Sequence, residues 1–179
     1  MSEQPPNGVI DRFDQRADEL LERLRGRRPV DLVMTTASHL GDFSLIWHIV
    51  GVTRGVTSAQ RAKQAVVLSA LIGAESLIVN QGIKRLFRRR RPTTSGDPRF
   101  PVRTPSTTSF PSGHASAAFF AATLLTHYSG ARYAPAWFAM ATVVGSSRAY
   151  VRIHHASDVL GGAVVGAALG AAAISTLPI

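Results

Sequence analysis

The chain has 179 residues, enough for one domain and too few for two cores of useful size. Hydrophobic residues make up 45%, and 20 Lys and Arg against 11 Asp and Glu leave a formal charge of +9. The lack of cysteine excludes disulfides, thiolate catalysis and Cys-ligated zinc, and Ser2, Glu3, Gln4, Pro5 and Pro6 lack the basic and apolar regions of a secretory signal, so a membrane location would rest on the chain's own spans.

Residues 9–26 place Val9, Phe13, Ala17, Leu20, Leu21 and Leu24 at helical spacing among Asp, Glu and Arg. This predicts an amphipathic helix, too charged to cross a bilayer, that lies at the interface or against a partner and is closed by Pro29. A solvated appendage is the plain alternative. Residues 30–52 then run apolar apart from His39, Asp42 and His48, and residues 64–83 apart from Glu75, Asn80 and Gln81. Each run is near the roughly 20 residues that cross a hydrocarbon core. Their polar residues are expected to face a bundle interior, with Glu75 and Asn80 contacting the site.

Arg85, Arg88, Arg89, Arg90 and Arg91 follow at once. Positive charge concentrated beside apolar stretches fits a membrane surface or a phosphate better than nucleic acid. Residues 93–111 form a loop rich in Pro, Thr, Ser and Gly that carries Asp97, Arg99 and Arg103. Three more apolar segments follow, at 114–129, 133–147 and 155–177. In the last, Gly162, Gly166 and Gly170 recur every four residues, which suits close helix packing, within the chain in preference to a homodimer. With no strand alternation and no internal repeat, the expected fold class is all-α. The expected organisation is an amphipathic helix over 1–29 and an integral membrane bundle of about five spans over 30–179.

Five spans put residues 1–29, 84–113 and 148–154 on one side, with 6, 8 and 2 Lys and Arg, and leave Arg54, Arg61, Lys63 and Arg132 on the other. The positive-inside rule then places the first side in the cytoplasm.

Three polar islands interrupt the apolar sequence. Lys84 ends an apolar helix and Arg91 follows seven residues later, before the helix-stopping Pro92, so both can project to one polar face. Taken alone the pair reads equally as a basic cap at a membrane boundary. Pro111-Ser112-Gly113-His114 reads as a helix start, with Ser112 as N-cap, free N–H groups beside Gly113 for an anion, and His114 placed to protonate a leaving oxygen. Its plain alternative is a cap followed by an incidental histidine.

In the third island, Asp158 stands four residues after His154. On a helix they share a face, so the carboxylate can orient the imidazole for attack on phosphorus and formation of a phosphohistidine. Arg148 offers its donor fork to the phosphate oxygens. Phosphoryl transfer needs these parts: cations on the equatorial oxygens, an in-line nucleophile, and an acid for the leaving oxygen. A metal reading of His154, His155 and Asp158 is disfavoured, because on a helix His155 is rotated about 100° from His154.

Lys84-x6-Arg91-Pro92, Pro111-Ser112-Gly113-His114 and Ser147-Arg148-x5-His154-x3-Asp158 together resemble the complete signature of the type 2 phosphatidic acid phosphatase (PAP2) superfamily. The resemblance implies a helical bundle whose site assembles from three helix ends, with no metal and no cofactor. It implies His154 as nucleophile, Asp158 as its orienter, and His114 as the general acid that later activates water. Lys84, Arg91, Ser112, Gly113 and Arg148 would hold the phosphate. The superfamily also contains soluble acid phosphatases and vanadium haloperoxidases, but the short chain and long apolar runs are more similar to small bacterial membrane lipid phosphatases, which usually have six spans.

The expected substrate is therefore a lipid phosphomonoester or diphosphate in the bilayer. Candidates are a polyprenyl diphosphate, phosphatidylglycerol phosphate, phosphatidic acid, or a prenyl-phosphoryl sugar phosphate such as decaprenylphosphoryl-5-phosphoribose. The cytoplasmic bias favours the last over an undecaprenyl diphosphate phosphatase facing the periplasm. Two rivals remain from other classes. A non-enzymatic membrane module binding anionic lipid or an acidic partner predicts that His114 and His154 are dispensable, and a soluble nucleic-acid binder predicts extraction without detergent.

Overall fold

The structure, a computed structural model, describes residues 8–93 and 96–176. The opening stretch read for a signal and residue 177 of the last apolar run lie outside them. Among the described residues there is no strand. The α-helices are α1 (Val9–Glu22), α2 (Arg28–Gly41), α3 (Leu45–Gly55), α4 (Ala59–Leu77), α5 (Gly113–Ser129), α6 (Ala134–Tyr150) and α7 (Ala156–Thr176).

Helix α5 is the centre of the bundle, packed against α4, α6 and α7. Its sequence carries no polar stripe, and Ala115, Ala117, Ala118, Phe120, Ala121, Ala122, Leu124 and Leu125 are all buried, as a helix apolar on every side must be. Trp47 of α3, Leu68 and Ile72 of α4 and Val144 of α6 complete this core. The glycine row of α7 faces α5: a Cβ on Gly162 would stand 2.4 Å from the Ser112 carbonyl oxygen, and one on Gly166 would stand 2.0 Å from that of Ser116. The close approach therefore serves packing within the chain, by van der Waals contact between backbones.

Among the described residues, two helices are long and apolar enough to cross a membrane, Ala59–Leu86 and Ala156–Thr176, and little of the apolar stretch of each is buried within the chain, 22% and 17%. The first continues α4 through a π turn, Ile78–Gly82, and a 3₁₀ turn, Ile83–Leu86. The run 30–52 departs from the single helix expected. It breaks at Asp42–Ser44, where Phe43 and Ser44 adopt φ of 52° and 59°. A residue in the left-handed region cannot continue a right-handed helix, so α2 and α3 meet at a bend that brings Asp42 to the depth of His114.

The N-terminal helix ends at Glu22, short of Pro29, which instead opens α2 near its first turn. That is proline's favoured helical position, since its missing N–H would be unsatisfied there in any residue. Val9, Ile10, Phe13 and Leu20 of α1 are exposed while Asp14 is buried. The helix is thus held to the bundle largely by its acidic face, with Leu21 and Leu24 packing beside Phe100, Tyr150, Val151 and Ile153.

Candidate active site

The end of the α4 extension, the start of α5, and the turn between α6 and α7 meet at one end of the bundle. Lys84 is buried in the 3₁₀ turn, and its Nζ donates to Thr107 Oγ1 at 3.3 Å. Arg91, in non-helical chain, reaches the same threonine and donates to the Thr107 carbonyl oxygen at 3.0 Å and to the Ile153 carbonyl oxygen at 2.7 Å. One loop residue thus ties together the two cations of the first island. A π turn just before Lys84 shifts the helical register by one residue, a distortion often found at functional sites.

Ser112 caps α5 as expected, accepting from the Ala115 N–H at 3.5 Å, while its own N–H donates to the Asp158 carbonyl oxygen at 3.0 Å. A Cβ on Gly113 would lie 3.3 Å from Asn80 Oδ1 and 3.8 Å from Lys84 Nζ, so Asn80 and Lys84 both border the first turn of α5. Glu75 reaches further in, accepting from the Ser116 hydroxyl. His48 faces the bundle interior, its Nδ1 2.8 Å from Ser69 Oγ.

His154 stands two residues ahead of α7 rather than on it, so the shared helical face expected with Asp158 is not what pairs them. Asp158, in the first turn of α7, folds its carboxylate back and accepts from the His155 N–H at 2.8 Å, as an acid at a helix start does. This leaves Oδ2 3.6 Å from His154 Nδ1, an ion-pair distance too long for a hydrogen bond. Ser109 bridges the gap, donating to Oδ2 at 2.5 Å with its oxygen 3.4 Å from Nδ1. The other ring nitrogen, Nε2, faces Arg91 Nη1 at 3.1 Å. The backbone N–H of His154 is fixed on the Arg148 carbonyl oxygen at 3.1 Å.

Arg148 is fully buried, and its guanidinium donates to the Ser38 hydroxyl. His114 Nε2 lies 3.0 Å from Asp42 Oδ1, at ion-pair distance though not aligned as a hydrogen bond. The ring packs against Gly41, where a Cβ would come within 2.5 Å of His114 Cδ2.

Leaving aside the exposed Arg85, Arg88, Arg90 and Arg103, the cations around this site fall into two sets. Arg25, Arg89, Arg99 and Arg152 each pair with carboxylates at 3.1 Å or less. Among the described residues, Lys84 and Arg91 have no carboxylate within ion-pair distance, and Arg148 has one at its limit, Asp42 at 4.0 Å. Buried cations are costly without an anion; Lys84 and Arg148 are buried and Arg91 partly so, and all three belong to the islands read as phosphate holders.

Burial pushes the His154 imidazole down to about 3, with Arg91 and Lys84 adding to the effect and Asp158 opposing it. The ring is therefore neutral at physiological pH, as a nucleophile requires. Its ordinary value is 6.5, so below that pH the unfolded chain binds a proton that the native chain refuses. The stabilisation is complete above 6.5 and is lost as pH falls toward 3. Glu22, held at about 2 chiefly by Arg99 and Arg25, adds its own loss only below its ordinary 4.5. Between pH 6.5 and 5, thermal unfolding in detergent is expected to show a smaller fall in Tm for His154→Asn than for the wild type. Parallel falls would show that this histidine is not held neutral.

The contacts of Ser109, Thr107, Arg89 and Asp42 were not assigned from sequence. Ser109 and Thr107 are unremarkable in a Ser/Thr-rich loop, and Arg89 is hidden in a run of arginines. Asp42 alone carried a signal, as an acid inside an apolar run.

The model of the PAP2 superfamily matches residues 64–178. The chain is 33% identical over 137 residues to a decaprenylphosphoryl-5-phosphoribose phosphatase of Mycobacterium tuberculosis, covering 75% of this chain and 73% of the relative. It is 36% identical over 142 residues to the protein of that name in Mycolicibacterium smegmatis, covering 78% and 74%. Among solved structures it is similar to a transmembrane PAP2 type phosphatidylglycerolphosphate phosphatase from Bacillus subtilis, with a TM-score of 0.64, 26% identity, and 90% and 84% of the two chains covered. It shares its fold with LpxE of Aquifex aeolicus, at a TM-score of 0.72, 22% identity, and 97% and 99% covered. A family match over most of the chain, with phosphatases as its relatives, makes this protein a member of the PAP2 superfamily and a membrane lipid phosphatase within it.

Proposed function

We propose that the protein removes the terminal phosphate from a prenyl-phosphoryl sugar phosphate of the decaprenylphosphoryl-5-phosphoribose type, through a phosphohistidine at His154 and without a metal. The observation that carries the chemistry is the placement of His154 Nε2 at 3.1 Å from Arg91, beside Lys84 and Arg91, which lack carboxylate partners. The substrate class is supported by the two mycobacterial relatives.

In this reading the phosphate sits on Lys84, Arg91, Arg148 and the N–H groups at the start of α5. His154 Nε2 attacks phosphorus, the bond from phosphorus to the sugar oxygen breaks, and His114 gives its proton to that oxygen. His114 then takes a proton from water as the water attacks the phosphohistidine. Inorganic phosphate leaves, and both histidines return to their starting states. Asp158, with Ser109, holds the Nδ1 side of His154 and offsets the charge that the ring acquires. Asp42, 3.0 Å from His114 Nε2, offsets the charge of that ring when it is protonated.

The bent α2–α3 pair and helices α4 to α7 would give five crossings, with the apolar side chains Val52, Val66, Leu77, Leu160 and Val164, all exposed, toward lipid. Helix α1 would lie at the interface through Val9, Ile10, Phe13 and Leu20, all exposed. The site would face the cytoplasm by the count of Lys and Arg. The lipid tail would enter between helices, and the loop 93–110 would cover the head group.

The test is phosphate release by detergent-purified protein from a panel of lipid phosphates in excess chelator. The sugar phosphate is expected to turn over fastest. Faster release from phosphatidylglycerol phosphate or undecaprenyl diphosphate would reassign the substrate, and release only after metal addition would contradict the metal-free mechanism.

A further inference from the structure

The buried carboxylate of α1 has no part in the chemistry set out above, yet it lies one arginine away from it. Asp14 is 7% exposed, buried on a helix whose apolar Val9, Ile10, Phe13 and Leu20 are exposed. Its Oδ1 accepts from the Ser157 N–H at 2.8 Å, and its Oδ2 accepts from Ser157 Oγ at 2.7 Å and Arg89 Nη2 at 2.5 Å. The other end of the Arg89 fork, Nη1, donates to Asp158 Oδ1 and to Ser157 Oγ, both at 2.6 Å. Oδ2 of Asp158 is held separately, by Ser109 and the His155 N–H.

Both oxygens of Asp158 are thus pinned from different sides, which fixes the rotation of the carboxylate and presents Oδ2 to His154. The charges also matter. Arg89 bound to Asp158 alone would neutralise it and weaken its hold on the imidazole. Asp14 shares that arginine, so Asp158 keeps charge to offset the positive imidazole that forms when Nε2 bonds to phosphorus.

Acids at 14, 18 and 22 stand one turn apart on this face. Asp18 pairs with Arg25 and Arg152, and Glu22 with Arg25, Arg99 and Arg152. Helix α1 is therefore tied to the chain just before His154 as well as to the carboxylate behind it. The matched family segment, 64–178, contains Arg89 and Asp158 but not Asp14.

We propose that Arg89 and Asp14 are positioning residues for the phosphatase reaction: through them α1 sets the orientation and effective charge of Asp158. The proposal rests on the reading of His154 as nucleophile. Neither residue touches the phosphate, so their loss should change turnover and leave binding alone.

The experiment measures kcat, KM, inhibition by inorganic phosphate and Tm for Arg89→Gln, Arg89→Lys and Asp14→Asn in the full chain, with Glu19→Gln on the exposed face of α1 as control. Arg89→Gln is expected to lower kcat by about 10- to 100-fold, the range seen when the partner that orients a functional side chain is lost. KM and phosphate inhibition should stay within about twofold, since ground-state binding is untouched. Asp14→Asn, nearly isosteric, should lower kcat by about 10-fold, and Arg89→Lys should recover part of the loss. Asp14→Asn added to Arg89→Gln should cost little more, because Asp14 acts through Arg89.

Unchanged kcat in both Arg89→Gln and Asp14→Asn would overturn the proposal. So would weakened phosphate inhibition in Arg89→Gln, which would make Arg89 a phosphate ligand, or a lowered Tm with kcat intact, which would make the network structural only. If His154→Asn itself retains full activity, the underlying reading of the site fails instead, and the two failures are told apart within one set of variants.

Discussion

His154→Asn is expected to lower phosphate release by at least about 10⁴-fold while Tm at neutral pH changes little. Removal of a covalent nucleophile leaves only binding and electrostatic assistance, and losses of this order or larger follow in enzymes that form a covalent intermediate. Asparagine fills most of the imidazole's space and keeps a polar atom near Ser109, so the pocket should not collapse. His114→Asn is expected to behave differently. A better leaving group, such as an aryl phosphate, needs no proton, and in His114→Asn should restore the first step, seen as a burst of released phenol followed by slow turnover, whereas His154→Asn should show no burst. Activity within about tenfold of the wild type in His154→Asn would contradict the assignment.

The largest expected effect on stability comes from Gly166→Ala. A Cβ there would stand 2.0 Å from the Ser116 carbonyl oxygen and 2.9 Å from Ser116 Cα. Both are backbone atoms of the most buried helix, so no side chain can move aside, and α5 and α7 must separate. Overpacking of a tight contact costs on the order of 1–3 kcal/mol, and a backbone clash belongs at or above the upper end. The same separation would move Ser112 and Gly113 away from Asp158, so activity should fall with stability. Gly73 is the internal control: a Cβ there meets nothing within 4 Å, and Gly73→Ala on the exposed face of α4 should stabilise by about 0.5–1 kcal/mol. Thermal unfolding in detergent that ranked Gly166→Ala level with Gly73→Ala would show that the helices do not approach so closely.

The sequence reads well where a physical period or a cap is strong. Helices α5, α6 and α7 fall within a few residues of the apolar segments expected, because long runs with few polar interruptions have little choice but to form buried or lipid-facing helices. Ser112 is legible as an N-cap because a hydroxyl before an apolar run satisfies free N–H groups. The break at Phe43 and Ser44 is not legible, since neither residue is glycine or asparagine and left-handed backbone at such positions is imposed by tertiary contacts. Pro29 was read from the wrong side, because a proline that ends one helix and one that opens the next look alike in a short connection.

The pairing of His154 with Asp158 was legible as proximity but not as geometry. Four-residue spacing suggests a shared face, whereas the acid is folded back at the start of α7 with the histidine in the turn before it. Ser109 enters because that arrangement leaves a gap of 3.6 Å. The ladder of Asp14, Asp18 and Glu22 was hidden for another reason. Acids on the polar face of an amphipathic helix look solvated until the arginines that meet them come in from sequence positions far away.

The central claim is a covalent phosphoenzyme on His154, and the most direct measurement is to trap it. Purified protein mixed briefly with substrate bearing a radiolabelled terminal phosphate, quenched in base and digested, should give label on the peptide containing His154. That label should be lost on acid treatment, as a phosphoramidate is, and should accumulate in His114→Asn given an aryl phosphate, where attack by water is slowed. Label on the His114 peptide, or full turnover with no trapped label under conditions where His114→Asn also fails to accumulate it, would contradict the account.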